Sequence, residues 1–206
     1  PLLKQLVMKR GLMVRPIAIA PDPDYSTPET TRVIYYCRPK GPFATFDKTE
    51  YLIPNDQAAD LVLGLLNRLL GKDSDLAKFL TYQQDTGHLR ELLVCTHTQV
   101  DLACGRFGTP LYRQLRKIHG QPGADLRIWQ STHFGGHHFA PTLVDLPTGQ
   151  FWGHLTPEVL PQLSDRCGDP QPLAQCYRGW SGVSRFEQMA ERAVWLETGW
   201  DWFTQP

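Results

Sequence analysis

The chain has 206 residues, 21 basic and 21 acidic side chains and no net charge. The length provides for a substantial hydrophobic core, in one large domain or two small ones. The even charge balance argues against a general nucleic-acid role, which calls for a basic surface. Its longest apolar runs, such as Leu61–Leu66, fall well short of the roughly 18 residues of a membrane span and fit a buried helix.

The chain opens on Pro1 rather than Met, which leaves room for a segment upstream, and it displays no signal peptide. Its first half reads as helix (Leu2–Lys9), strand (Met13–Ala20), strand (Arg32–Arg38), strand (Thr45–Ile53) and helix (Asp56–Leu70), with Asn55 as the cap of that last helix and Leu61, Leu65 and Leu69 on one face. Pro21–Asp24 and Lys72–Asp75 read as loops. With one strand added before Pro1, this half would repeat the architecture of the second, so residues 1–85 are expected to form an N-terminal α/β lobe, a truncated and degenerate relative of the domain at 86–206.

In the second half, Leu89–Cys95 reads as a strand and Thr96–Gly108 as a polar loop. A helix is expected from Thr109 as N-cap and Pro110 as first residue, with Leu111, Leu115 and Ile118 inward and Gly120 at its end. A strand at Leu126–Ser131 leads into a loop rich in His and Gly, Thr132–Ala140. Thr142–Leu146 and Gln150–Leu155 form a hairpin around Pro147–Gly149. Thr156 and Pro157 start a helix running to about Arg166. A final helix is expected from the Ser184/Glu187 capping box, burying Phe186, Met189, Ala190, Ala193 and Val194 and stopping at Gly199, with Trp195, Trp200 and Trp202 in the core. The order β-α-β-β-β-α is that of a thioredoxin-like core. A right-handed βα crossover leaves its two strands parallel, so both end on one sheet edge. The topology therefore brings the loop after Cys95 to the His-rich loop.

Those loops hold the residues that bear chemistry. All seven histidines lie at position 88 or later, and the five cysteines are odd in number and widely spaced, which suits a reducing, cytoplasmic compartment better than a disulfide framework. Cys95 and Cys104 occupy one loop; His133 and His137, with His138 adjacent, occupy the other. Between the histidines, Gly135 and Gly136 disfavour a helix and let the backbone approach a bound object closely. Two thiols and two imidazoles suit either a closed Cys2His2 zinc site or a 2Fe–2S cluster with thiolates on one iron and imidazoles on the other. His137 is favoured over His138 by register. His97 is read as exposed or beside the ligands, and Thr96, Thr98, Ser131 and Thr132 as hydrogen-bond donors to sulfur. Cys37, Cys167 and Cys176 are expected to be small buried residues, and Pro141 to follow a cis bond. Eight residues separate Cys95 from Cys104, so there is no Cys-x-x-Cys pair for thiol–disulfide exchange. No nucleotide-binding loop is present, and no carboxylate pair is placed for glycoside hydrolysis.

Leu93-Val94-Cys95-Thr96-His97, Cys104 with Gly108 and Pro110, and Ile128-Trp129-Gln130 leading to His133-Phe134-Gly135-Gly136-His137 resemble the sucrase/ferredoxin-like family. So do Phe139-Ala140-Pro141-Thr142, Tyr177-Arg178-Gly179-Trp180 and Gly199-Trp200-Asp201-Trp202-Phe203. The likeness is densest over residues 89–203. It implies a thioredoxin-like ferredoxin domain and a 2Fe–2S cluster on Cys95, Cys104, His133 and His137, with Thr96, Gly135, Gly136 and His138 around them. The implied role is electron carriage between donor and acceptor proteins rather than turnover of a substrate, with proton coupling at a histidine ligand. Neither nucleic acid nor membrane is expected as a partner. A structural zinc module without redox role is the alternative reading.

Overall fold

The computed structural model describes residue 8 and residues 14–72, 75–119 and 123–206. The helix expected at Leu2–Lys9 and the stop at Gly120 lie outside these residues, apart from Met8. The chain forms two compact units: Pro21–Tyr35 with Lys48–Gly87 belong to the first, and Ile17–Ala20, Tyr36–Asp47 and His88–Pro206 to the second.

The first unit has a three-stranded sheet in the order β1 (Thr30–Cys37), β2 (Asp47–Pro54), β3 (Gln83–Gln84), with helix α1 (Ala58–Leu69) and a 3₁₀ segment (Ala77–Tyr82) between the last two. β3 returns antiparallel to β2. Leu61 and Leu65, one turn apart, meet Tyr51, Ile53 and Phe79 in a small core. Asn55 does not cap α1: its side chain accepts a hydrogen bond from the Thr31 hydroxyl (2.8 Å), and the helix starts after Gln57 without a side-chain cap.

The second unit contains a five-stranded sheet in the order β5-β4-β6-β7-β8, from β4 (Arg90–Cys95), β5 (Leu126–Ser131), β6 (Thr142–Leu146), β7 (Gln150–Gly153) and β8 (Tyr177–Trp180). β4 and β5 are parallel and in register from Arg90↔Leu126 to Cys95↔Ser131. β6 runs antiparallel to β4, and the hairpin β6–β7 follows. This is the thioredoxin-like arrangement, with β8 as an added strand that the sequence pattern did not disclose. β4 is buried along nearly its whole length, as a central strand covered on both faces should be. The expected strand at Met13–Ala20 is reduced, among described residues, to a bridge between Ile19 and Ser131, with Ala20 N–H donating to the Gln130 carbonyl (2.9 Å) and Thr132 N–H to that of Ala18 (2.8 Å). The Ala140–Pro141 bond is cis, as expected, and so is Leu146–Pro147.

Two helices depart from expectation. Helix α2 spans Leu102–His119, so Thr96–Gly108 is not all loop and Pro110 lies inside the helix rather than opening it. The true start is Asp101, whose carboxylate accepts the Ala103 N–H (2.8 Å) and whose carbonyl accepts that of Cys104 (3.2 Å). Pro110 leaves the Arg106 carbonyl without its helical donor. Burial of Cys104, Gly108, Leu111 and Leu115, which recur on one face, offsets this cost. Ile118 continues that stripe at the end of the helix but is exposed.

After the short helix α3 (Leu160–Asp165), helix α4 (Glu187–Thr198) turns the opposite face inward from the one expected. Phe186 and Met189 are 86% and 78% exposed, and Ala190, Ala193 and Val194 are exposed as well, whereas Glu191 and Trp195 are buried. The Ser184 N–H does donate to the Glu187 carboxylate (2.6 Å), as the capping box implies. The inward face is set by partners outside the helix. The Tyr177 hydroxyl and Trp202 Nε1 donate to the Glu191 carboxylate (2.7 and 3.2 Å), and Trp195 stacks on Phe203 (5.7 Å between centroids) beside Trp152 and Tyr177. Trp195→Ala should therefore cost about 3–5 kcal/mol in denaturant unfolding, and Met189→Ala less than about 0.5 kcal/mol. Equal losses would restore the opposite orientation of α4.

Candidate metal centre

β4 and β5 end side by side, and the segments leaving them form one cluster at that edge. Cys95 is the last residue of β4 and fully buried. Cys104 sits in the first turn of α2, also fully buried, because the helix lies directly on the end of β4. Gly108 allows this approach: a Cβ there would stand 2.0 Å from the Cys95 carbonyl oxygen. One turn earlier, a Cβ on Gly105 would meet the Thr98 side chain at 2.2 Å. Seating α2 this closely carries Cys104 to Cys95.

From β5, Ser131 and Thr132 lead to His133, whose Nδ1 lies 3.7 Å from Cys95 Sγ and 3.8 Å from Cys104 Sγ. These three ligating atoms all lie within 4.8 Å of one another, a Cys/His group able to hold a metal ion. The loop then reverses through Gly135 and Gly136, both at positive φ (106° and 75°), into a 3₁₀ turn at His137–Phe139. The reversal brings the His137 ring to 5.5 Å from that of His133, centroid to centroid. His137 is not in the three-atom group, yet its Nδ1 is buried and has no hydrogen-bond partner. His138 is exposed, its ring 4.1 Å from that of His137.

The structure thus gathers Cys95, Cys104 and His133 tightly and holds His137 beside them. Thr96 is spent on the frame, its N–H donating to the Ser131 carbonyl (3.2 Å). The Ser131 hydroxyl donates to the Val94 carbonyl (3.2 Å) rather than to sulfur, and the Thr132 hydroxyl oxygen accepts from Ala18 N–H (2.9 Å). His97 is half-buried rather than exposed, with an unpartnered Nδ1. All five cysteines are free; Cys176 is buried as expected, but Cys37 is half-buried and Cys167 exposed. The feature that sequence reasoning missed was Asp101, a capping residue ahead of Leu102-Ala103-Cys104, which would have placed Cys104 on a helix.

Burial pushes the Cys104 thiol up to about 12, and the adjacent Cys95 and Asp101 add to the shift. A thiol in that setting keeps its proton near neutrality unless a cation replaces it. Soft metal ions do this, binding thiolates and releasing protons.

The profile of the sucrase/ferredoxin-like family matches residues 4–179. The chain belongs to the sucrase/ferredoxin-like family. Among similar proteins is altered inheritance of mitochondria protein 32 of Debaryomyces hansenii, 30% identical over 79 residues, which are 36% of this chain and 29% of that protein. The Clavispora lusitaniae protein of the same name is 28% identical over 102 residues, 48% of this chain and 37% of that protein. The chain therefore spans about a third of the length of these relatives. A thioredoxin-like [2Fe-2S] ferredoxin from Aquifex aeolicus aligns with 46% of this chain and 94% of its own, at 12% identity and a TM-score of 0.39. Its wild-type crystal structure at 1.5 Å aligns with 45% and 98%, at 14% identity and a TM-score of 0.37.

Two outcomes follow for this member of the sucrase/ferredoxin-like family. Gly108→Ala should push α2 off β4, lowering the unfolding free energy by about 1–3 kcal/mol and the metal bound per chain with it; retention of both would show that the close approach is dispensable. In metal-free protein, an alkylating reagent at pH 8 should label exposed Cys167 within minutes and leave Cys104 unmodified until the chain is unfolded. Peptide mass mapping reads both, and rapid labelling of Cys104 would contradict its raised pKa.

Proposed function

We propose that this chain is an electron-transfer protein whose 2Fe–2S cluster is held by Cys95 and Cys104 on one iron and by His133 and His137 on the other. The observation that carries this reading is the environment of His137: its buried Nδ1 lacks a partner and its ring lies 5.5 Å from that of His133, beside a group that already has three ligating atoms. A centre with two metal atoms gives that nitrogen a role. The donor set of two thiols and two imidazoles is the one such a cluster takes, and the family description includes ferredoxins. When bound, the cluster supplies exchange of a single electron.

The chain's own residues set the terms of that exchange. Cys95 and Cys104 contribute negative thiolates, while neutral imidazoles in place of two further thiolates leave the centre less negative. A potential in or near the range of about −150 to +300 mV follows. His133 turns Nδ1 toward the sulfurs, which leaves Nε2 to carry a proton. That proton is held more tightly when the added electron makes the centre more negative. The potential should therefore fall as pH rises through the oxidised-state pKa of the ligand, by about 59 mV per pH unit for one proton. We infer a thiol-reducing compartment such as the cytoplasm from five free cysteines. Among the described residues, no helix is long and apolar enough to cross a membrane.

A second reading has its own support. The separations of 3.7 and 3.8 Å between His133 Nδ1 and the two sulfurs approach the edge of a tetrahedron around one zinc ion, about 3.5 Å for Zn–S of about 2.3 Å and Zn–N of about 2.0 Å. Structural zinc on Cys95, Cys104, His133 and His137 would make the protein colourless, with one zinc per chain. Anaerobic purification with iron, sulfide and zinc analysis and visible and paramagnetic resonance spectra decides. Two irons and two sulfides per chain and a reddish-brown colour are expected; one zinc without sulfide would overturn the cluster. Cys95→Ala should abolish metal binding. His137→Cys should keep a cluster while lowering its potential and changing its spectrum; an unaltered spectrum would remove His137 from the ligand set.

A further inference from the structure

We propose that the patch around Phe139 is a docking surface for a redox partner protein that presents carboxylates around an apolar centre, a proposal that rests on the electron-transfer reading above. Phe139 follows directly on His137 and His138 and is 39% exposed. An exposed aromatic ring is usually mobile, but this one is fixed from three sides. Gly153 lies so close beneath it that a Cβ would stand 2.6 Å from Phe139 Cβ and 2.8 Å from its carbonyl oxygen. The His154 N–H donates to that carbonyl (2.6 Å), and the His154 ring meets the phenyl ring edge-on at 5.5 Å. The Arg178 guanidinium covers the ring at 4.2 Å from its centroid, with Nη2 donating to the Gln175 carbonyl (2.7 Å). The patch is thus preorganised, which lowers the ordering cost of association.

Its chemistry has one sign. Arg178 brings a permanent positive charge and a buried Nε with no partner, and exposed His138 and His154 bring imidazole N–H donors. Segments 132–144, 153–157 and 174–182 carry no Asp or Glu. An arginine already stacked on an aromatic ring is suited to paired hydrogen bonding with a carboxylate. Rings and arginine at the centre with a polar rim are the composition of protein interfaces, and transient redox encounters need only a small area. The patch also adjoins the candidate ligands along the chain, Phe139 being next to His138, whose ring lies 4.1 Å from that of His137. A partner seated here faces the histidine side of the centre, the shortest way out for an electron.

The test measures binding of labelled hexaglutamate and hexalysine to the purified holoprotein by fluorescence anisotropy at low salt, with Arg178→Gln, His154→Asp and, as a basic residue elsewhere, exposed Arg106→Gln. Hexaglutamate should bind and hexalysine should not. Arg178→Gln and His154→Asp should each weaken hexaglutamate about tenfold, at unchanged metal content, and Arg106→Gln should leave it unaltered. In parallel, the reduced protein passes one electron to anionic ferricyanide or to cationic tris(phenanthroline)cobalt(III). Both patch variants should slow the first about tenfold and spare the second. Preference for hexalysine, or equal loss in the Arg106 variant, would overturn the proposal. A loaded cluster with no response in any variant would overturn the surface alone; hexaglutamate binding by a protein that holds zinc would remove the redox partner while leaving the acidic ligand.

Discussion

The contact on which the site depends is the seating of helix α2 on the end of β4. Its closest point is Gly108 against the Cys95 carbonyl, an approach that any side chain at 108 would block. Because the helix descends so near the strand, its first turn lies level with the strand's last residue, and two cysteines with eight residues between them become neighbours. The remaining candidate ligands are carried by the sheet. β4 and β5 are parallel and end together at Cys95 and Ser131, so whatever follows β5 is delivered to the same edge. Gly135 and Gly136 then turn that segment back, which keeps His137 near His133 rather than letting it run out along the surface.

Much of this was legible in the sequence where the signal is local. β4 ends in the apolar run Leu92–Cys95, β5 and β6 have the bounds their residues suggest, and the hairpin turn follows from Pro147, Thr148 and Gly149. The convergence of a cysteine segment with a histidine segment needed only the parallel strand pair. Pro110 misled because proline is common at a helix start, and that preference concealed the weaker evidence of Asp101 and of the small or apolar residues at 104, 108, 111 and 115. Cys104 was accordingly read as a loop residue, although its neighbourhood with Cys95 was inferred correctly.

Helix α4 shows the opposite limit. By composition its apolar stripe is Phe186, Met189, Ala190, Ala193 and Val194, and the molecule leaves that stripe exposed. What turns the helix is a hydrogen-bonded carboxylate. Glu191 can be buried because Tyr177 and Trp202 donate to it, and these come from the elements on either side of the helix. Burial holds its pKa above the usual carboxylate range, the two donors only partly countering that rise. Once Glu191 faces inward, Trp195, four residues on, must follow into the aromatic core. Hydrophobic periodicity cannot anticipate a polar anchor whose partners are known only after folding.

The same accounting of buried polar groups separates the two ends of the central sheet. At one end each buried carboxylate is answered by a cation. Glu91 takes hydrogen bonds from Arg127 and from Trp129 Nε1 (2.6 Å). Asp145 meets Arg90 and Arg166; burial alone would raise its pKa, and the two guanidinium groups more than offset that and hold it below the ordinary range. At the other end two thiols are buried as deeply, and every influence on Cys104 pushes its pKa up: desolvation, Cys95 and Asp101. A fold that pairs its buried acids so closely at one edge gathers, at the other, two buried thiols and an imidazole nitrogen into a Cys/His group able to take a metal ion. A cation bound to that group would be to the thiolates what arginine is to the carboxylates, and would displace the proton that burial retains on Cys104.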